Sequence, residues 1–283
     1  MALNIGPLVV CGLLAGIAGT AQAQSTSPAQ ALLDDKFVVS LGAFVVESDL
    51  KARLNGSSTT NPDVDFDETF GKADSATRIR LDALWRITPT HHLRFLYFDN
   101  SASRSRVIDR NIVWGDNTFQ AGGLVESETD TKIVEVAYEY AFMRRPTYEV
   151  NGSIGFHYMD LTQRLSGTAT ITDANGNQTP AQFTSKQNSV PLPLPVIGIR
   201  AGWVVAPQVY LEAQGQIFKA EIAGVDARVN DFRASATWMF NSTFGLGLGY
   251  NRFATKADVD KDDFNGRAEV AYSGLQLFVT GSF

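Results

Sequence analysis

The residues with most to offer chemically in this chain are charged side chains spaced two apart, in runs whose intervening positions are largely apolar. Arg78, Arg80, Asp82 and Arg86 alternate with Thr77, Ile79, Leu81, Ala83, Trp85 and Ile87. Glu135 and Glu139 alternate with Val134, Val136, Tyr138 and Tyr140, and Asp231 and Arg233 share a parity opposite to that of Phe232, Ala234, Ala236 and Trp238. Arg94, Arg200 and Glu212 lie in similar runs. Opposite charges gathered on one side of a pleated wall can pair into a water-holding network, line a narrow path for ions, or serve as acids and bases.

The last possibility needs a constellation, and the chain has only three histidines. His91 and His92 fall in a turn, and His157 precedes Asp160 by three residues, a spacing any strand shows by chance. Neither a Ser/His/acid set nor a cluster of acids and histidine at one rim can be read, so the expectation is a protein that is not an enzyme, with a hydrolase as the remote alternative. Two acidic stretches, Pro62 to Glu68 and Ala257 to Phe264, offer carboxylates suited to Ca²⁺ or Mg²⁺, but without the glycine and terminal Glu of a calcium loop. No metal or other cofactor is expected.

The elements that would hold these residues are strands. Alternation with period two runs from Lys36 to the last residue, and helical spacing is scarcely present. Ten segments follow: Lys36 to Leu54, Asp74 to Thr88, His92 to Arg106, Asp130 to Met143, Thr147 to Leu165, Asn188 to Val205, Gln208 to Ile222, Arg228 to Phe240, Thr243 to Lys256 and Phe264 to Phe283. The connections after the second, fourth, sixth and eighth are short, as at Arg144-Arg145-Pro146, whereas those over Asn55 to Ala73, Val107 to Thr129 and Ser166 to Gln187 are long. Long and short loops segregated to opposite ends, and an even strand number, are the marks of a single antiparallel up-and-down transmembrane β-barrel of about ten strands, with eight or twelve as alternatives. Aromatic residues near the short turns, among them Trp85, Tyr140, Phe142, Tyr148, Trp203, Trp238, Phe240, Phe244 and Phe283, fit an interfacial girdle. Asp173-Ala174-Asn175-Gly176-Asn177 reads as a hairpin tip. Alternating Pro191, Pro193 and Pro195 deprive one edge of a strand of donors, so that edge is expected to be unpaired or bulged.

Composition agrees. Met1 to Ala23 has the short apolar core and the Ala21-Gln22-Ala23 ending of a secretory signal peptide, although no Lys or Arg precedes the core. Residues 24–35 form a short N-terminal segment, Ser/Gln/Pro-rich at its start, and 36–283 the barrel domain. The single cysteine, Cys11, lies in the signal, so disulfides and Cys-ligated metals are excluded from the remainder. With 24 Lys+Arg against 30 Asp+Glu the net charge of −6 argues against a nucleic-acid partner.

The final residues, Gly274 to Phe283, resemble the C-terminal signature of Gram-negative outer-membrane β-barrel proteins, with Leu275, Leu277 and Val279 apolar at alternate positions and an aromatic residue last. Arg110 to Phe119, followed by the strand ending Tyr138-Glu139-Tyr140-Ala141-Phe142, is similar to stretches of uncharacterised members of that class. The resemblance implies an outer-membrane location with periplasmic termini, delivery by the barrel assembly machinery, and lipopolysaccharide as a neighbour. The extracellular ligand is left open. The expected function is a structural or surface-interaction barrel with a charge-filled narrow lumen, the alternative being a narrow porin-like channel for ions or small solutes.

Overall fold

Strictly alternating side chains can satisfy two environments at once only if the strand separates them, and ten strands in sequence here do so around a closed wall. The computed structural model describes residues 27–54, 64–71, 76–171, 177–222, 225–261 and 264–283. The expected signal peptide, residues 62 and 63 of the first acidic stretch and the Asn175-Gly176 tip lie outside the described residues.

The strands are β1 (Phe37–Leu54), β2 (Val64–Asp65), β3 (Ala76–Arg86), β4 (His91–Val107), β5 (Ile112–Trp114), β6 (Asn117–Phe119), β7 (Leu124–Arg145), β8 (Tyr148–Ile171), β9 (Gln182–Ala206), β10 (Val209–Ile222), β11 (Val225–Met239), β12 (Phe244–Lys261) and β13 (Phe264–Ser282). Ten of them form a closed antiparallel barrel, each pairing with the next, and β13 closes on β1 from Val38↔Ser282 to Leu54↔Gly266. The chain end is stitched into this seam, since Phe37 and Phe283 exchange backbone hydrogen bonds of 2.9 and 2.8 Å. β2, β5 and β6 are outside the ten: β2 pairs with β1, and the β5–β6 hairpin pairs with β8.

The short connections are ordered by their own side chains. Thr88 Oγ1 accepts from the amides of Thr90 and His91, and Asn241 Oδ1 accepts from those of Thr243 and Phe244. At the other end the strands run further than the alternation suggests. β7 begins at Leu124 rather than Asp130, β8 continues to Ile171, β9 starts at Gln182, and β12 reaches Lys261, so much of the expected loops, including residues 257–261 of the second acidic stretch, is ladder. Here the outward residues, such as Glu126, Glu128 and Asp130, are polar, and the apolar/polar contrast that marks a strand in sequence disappears.

Below these extensions the outer surface is an apolar band. Ile79, Ile154, Ile197, Trp238 and Leu275 are each more than half exposed, an arrangement that burial in a soluble core would not tolerate but a bilayer requires. Leu277 and Val279 belong to the same band, while the ring of Phe283 packs edge-on against Phe244.

The inside is layered. Toward the long-loop end it is apolar, built from Phe44, Phe98, Ile133, Met159, Leu194, Val229, Phe253 and Tyr272. Toward the short-turn end it is ionic. The mouth beneath the ionic layer is stoppered by residues Pro28 to Asp34, a helical turn whose Ala29, Leu32 and Leu33 are buried against Tyr210 and Met239. Residues 28–34 of the short N-terminal segment thus act as a plug.

Candidate functional site

Parity places Arg200 of β9, Glu139 of β7, Glu149 of β8, Glu212 of β10, and Arg86 and Arg94 of β3 and β4 in one layer across the barrel. Arg200 is at its centre and has no exposed surface. It donates to Glu139 at 2.7 Å, to Glu149 at 2.9 Å and to Glu212 at 3.1 Å. Arg94 donates to the other oxygen of Glu212 at 2.8 Å and lies 3.3 Å from Glu139. Three guanidiniums therefore face three carboxylates, and the knot is neutral as well as bonded, as burial of charge demands.

Arg86 ties this knot to the plug. Its guanidinium donates to the carbonyls of Leu32 at 2.7 Å and Asp35 at 2.9 Å, and lies 3.4 Å from Glu149. From the rim, Arg144 donates to Leu33 O at 2.9 Å and to Asp34 at 2.7 Å. The ring of Tyr210 lies over Gly202, where a Cβ would collide with the phenolic oxygen, and its hydroxyl donates to Glu212 at 3.2 Å.

A second network sits nearer the apolar layer. Arg80 donates to Asp82 at 2.9 Å and to Asn251 at 2.8 Å, and Asn251 donates to Asp231 at 2.6 Å. Arg233 bridges Asp231 and Glu135. Gln216 donates to Glu135 at 2.7 Å and accepts from His157 Nε2 at 2.8 Å. Glu135, His157 and Asp231 each bring a ligand atom within 4.8 Å of the others, yet the guanidinium of Arg233 already occupies the cation position between the two carboxylates. Between the two networks and the plug remains a cavity of about 100 Å³, lined by Arg80, Asp82, Arg94, Glu212, Arg233 and Leu32, with room for a few waters at about 30 Å³ each.

Of the charges singled out from the sequence, Arg80, Arg86, Arg94, Glu135, Glu139, Arg200, Glu212, Asp231 and Arg233 meet in these two networks, and Asp82 joins through Arg80. Arg78 does not. It is partly buried above them and donates to Asn100 at 3.2 Å and to the carbonyl of Ser101. Glu149, Tyr210, Gln216 and Asn251 were not anticipated; Glu149 shares the parity of His157 and follows from carrying that parity down β8 to its first turn. His92 is buried at the short-turn end, and its Nε2 lies 3.2 Å from Pro89 O, while His91 contacts the Tyr138 hydroxyl at 2.5 Å, so the three histidines are dispersed.

The long-loop end is closed by side chains from two connections. Above the Val46↔Ala76 pair, β2 joins β1 and the helical turn Phe66–Phe70 packs beside β1 and β4. Phe66 is fully buried, edge-on to Trp114 with centroids 5.7 Å apart, and Ile108, Ile112 and Phe119 complete the cover. The carboxylates here are engaged: Asp65 accepts from the amides of Asp67 and Glu68 and pairs with Lys51 at 2.8 Å, Asp67 pairs with Arg104 at 2.8 Å, and in the second acidic stretch Asp258 pairs with Arg267.

Burial, reinforced by the neighbouring Asp49, pushes the Asp67 carboxyl up to about 6 against the opposing pull of Arg104. Once protonated it can donate to Asp49, which gives its otherwise unpartnered Oδ2 a use. A carboxyl whose pKa is raised by folding binds its proton more tightly in the folded state, so the cover gains stability as pH falls through about 6 toward the ordinary carboxylate range. Amide protection of residues 64–70 is therefore expected to rise between pH 7 and pH 5, and Asp67→Asn to remove that dependence; equal protection at both pH values in the parent would contradict it.

No protein-family model and no curated protein matches the sequence. Solved structures do match. The outer membrane protease OmpT from Escherichia coli superimposes with a TM-score of 0.56 at 10% identity, over 88% of this chain and 97% of its own. The toluene transporter TodX of P. putida gives 0.39 at 8% over 91% and 93%, and Ail of Yersinia pestis, the attachment invasion locus protein, 0.30 at 7% over 86% and 99%. The chain has the fold of the Gram-negative outer-membrane β-barrel proteins, and at 10% identity the likeness to OmpT extends to the fold alone.

Proposed function

We propose that this protein is a sealed outer-membrane barrel that does not conduct, with its termini and short turns in the periplasm and its working surface at the extracellular end. What supports the reading above all is the position of Arg200, bonded at once to Glu139, Glu149 and Glu212 across the lumen with the Pro28–Asp34 plug beneath it. An ion crossing here would have to break a neutral knot of three guanidiniums and three carboxylates and then displace a stopper held by Arg86, Arg144 and two buried leucines. That is unlike a pore, which binds its ions weakly enough to release them.

A surface role is favoured by what stands above the membrane: the β4, β7, β8 and β9 extensions and the aromatic cover. Lipopolysaccharide would surround these extensions, and the outward-facing Leu275, Leu277 and Val279 with the terminal Phe283 would present the last strand to the assembly machinery. Refolded into liposomes, the protein is expected to give no swelling in isotonic arabinose or amino-acid solutions beyond that of empty vesicles. Swelling at a porin-like rate would end this reading and leave the narrow channel.

A further inference from the structure

The barrel wall has a slot. The β9–β10 ladder stops at Ile197↔Ile217, although β9 continues to Gln182 on the β8 side and β10 continues to Ile222 on the β11 side. The β8–β9 ladder passes without a break through Phe156↔Pro195, Tyr158↔Pro193 and Asp160↔Pro191. Prolines at alternate positions remove donors from one edge only, and that edge is the one facing β10. The slot begins within the apolar band, because its neighbours Ile197, Ile217, Phe156 and Tyr158 are exposed on the outer surface at this height.

An open sheet edge facing lipid is not sustained unless something covers it, since its polar groups find no water there. The two sides of this slot differ in what they ask for. Inside are Leu194 and Val196, fully buried, and Phe218, packed on the apolar layer, so the interior behind the opening is alkane-like. Outside, the next outward residue of β10 is Lys219, exposed, and its cross-strand partner on β11 is Arg228, about half exposed and 3.6 Å from Asp226. Apolar contacts below, and above them Lys219, an Arg228 shared with Asp226 and the β10 edge that the ladder leaves unpaired, are what an acyl chain and a phosphate would satisfy together.

We propose that the slot between β9 and β10 is a lateral site for one acyl chain of a phosphorylated lipid of the surrounding leaflet. The chain lies against Pro195 and the partly exposed Phe218, and the phosphate oxygens accept from Lys219, Arg228 and the unpaired β10 backbone. This goes beyond the sealed-barrel reading and does not depend on it, because a lateral lipid site requires no passage through the ionic layer.

The test uses the intact barrel in nanodiscs containing phosphatidylglycerol with a diazirine in its acyl chain, and a diacylglycerol carrying the same chain without phosphate. After illumination, labelled residues are mapped by mass spectrometry. The expected result is label on the inward, partly exposed Phe218 as well as on the outward Ile197 and Ile217 with the phosphorylated probe, and on the outward pair alone with diacylglycerol. A Pro193→Val/Pro195→Val barrel that still shows heat-modifiable migration should regain the ladder and lose the inner label while keeping the outer. Label confined to the outward pair in the parent protein would overturn the site, and equal inner labelling by both probes would overturn the phosphate's part in it. If the proline variant does not fold, the two probes on the parent protein decide the matter by themselves.

Discussion

Replacing Arg200 by methionine is expected to lower the unfolding free energy of the barrel by about 3–5 kcal/mol, the range found when one partner of a buried ion pair is removed. The cost does not come chiefly from lost attraction. Arg200 is fully buried and supplies hydrogen bonds to Glu139, Glu149 and Glu212, and its removal leaves three carboxylates sharing Arg86 and Arg94. Methionine fills much of the volume, so the deficit reports charge rather than a cavity. Urea unfolding in detergent or lipid, followed by heat-modifiable migration, measures it. Adding Glu139→Gln to Arg200→Met should recover part of the loss, because the two residues are in contact and contacting pairs are coupled by about 0.5–3 kcal/mol. Loss of under about 1 kcal/mol, the usual worth of an exposed pair, would mean that water reaches the layer and the lumen is not sealed.

Truncating Phe66 to alanine should cost about 3–5 kcal/mol where the cover is measured as part of the cooperative unit, the span typical of buried aromatic residues. Phe66 has no exposed surface, stacks on Phe70 at 5.8 Å and meets Trp114 edge-on, so its ring joins the returning loop to the β5–β6 hairpin. Removing it should release residues 64–70 and 108–119 to protease while the ionic layer and the plug stay intact, because they lie at the other end of the lumen. Proteolysis with mass mapping separates the two ends. Cleavage appearing equally at Pro28–Asp34 would show that the cover and the plug are not independent.

The sequence was most informative where two solvents meet across a strand. In the membrane band, Ile79, Leu81 and Trp85 face lipid while Arg80 and Arg86 face the lumen, and the ten segments, the closure of the chain ends and most of the lumen charges follow from that contrast. It failed where the contrast vanishes. Above the band, Glu126, Ser127, Glu128 and Thr129 are polar on both faces, so the extensions of β7, β8 and β9 looked like loops. The plug was hidden for another reason: its α-helix, Ala31–Asp34, is four residues long, too short to display a helical period, and Leu32 and Leu33 are adjacent rather than periodic. Arg78 was misplaced because parity reports a side of the wall and not a height along it.

Single-channel recording of the refolded protein in planar bilayers tests the sealed lumen most directly. The expected trace is flat at 100 mV in 1 M salt for parent protein shown by heat-modifiable migration to be folded, with steps emerging only when deletion of residues 27–35 is combined with Arg200→Met. Discrete, ion-selective steps from the parent protein, changed in selectivity by Arg80→Gln or Glu135→Gln, would contradict the sealed barrel and make the charge layer the lining of a pore.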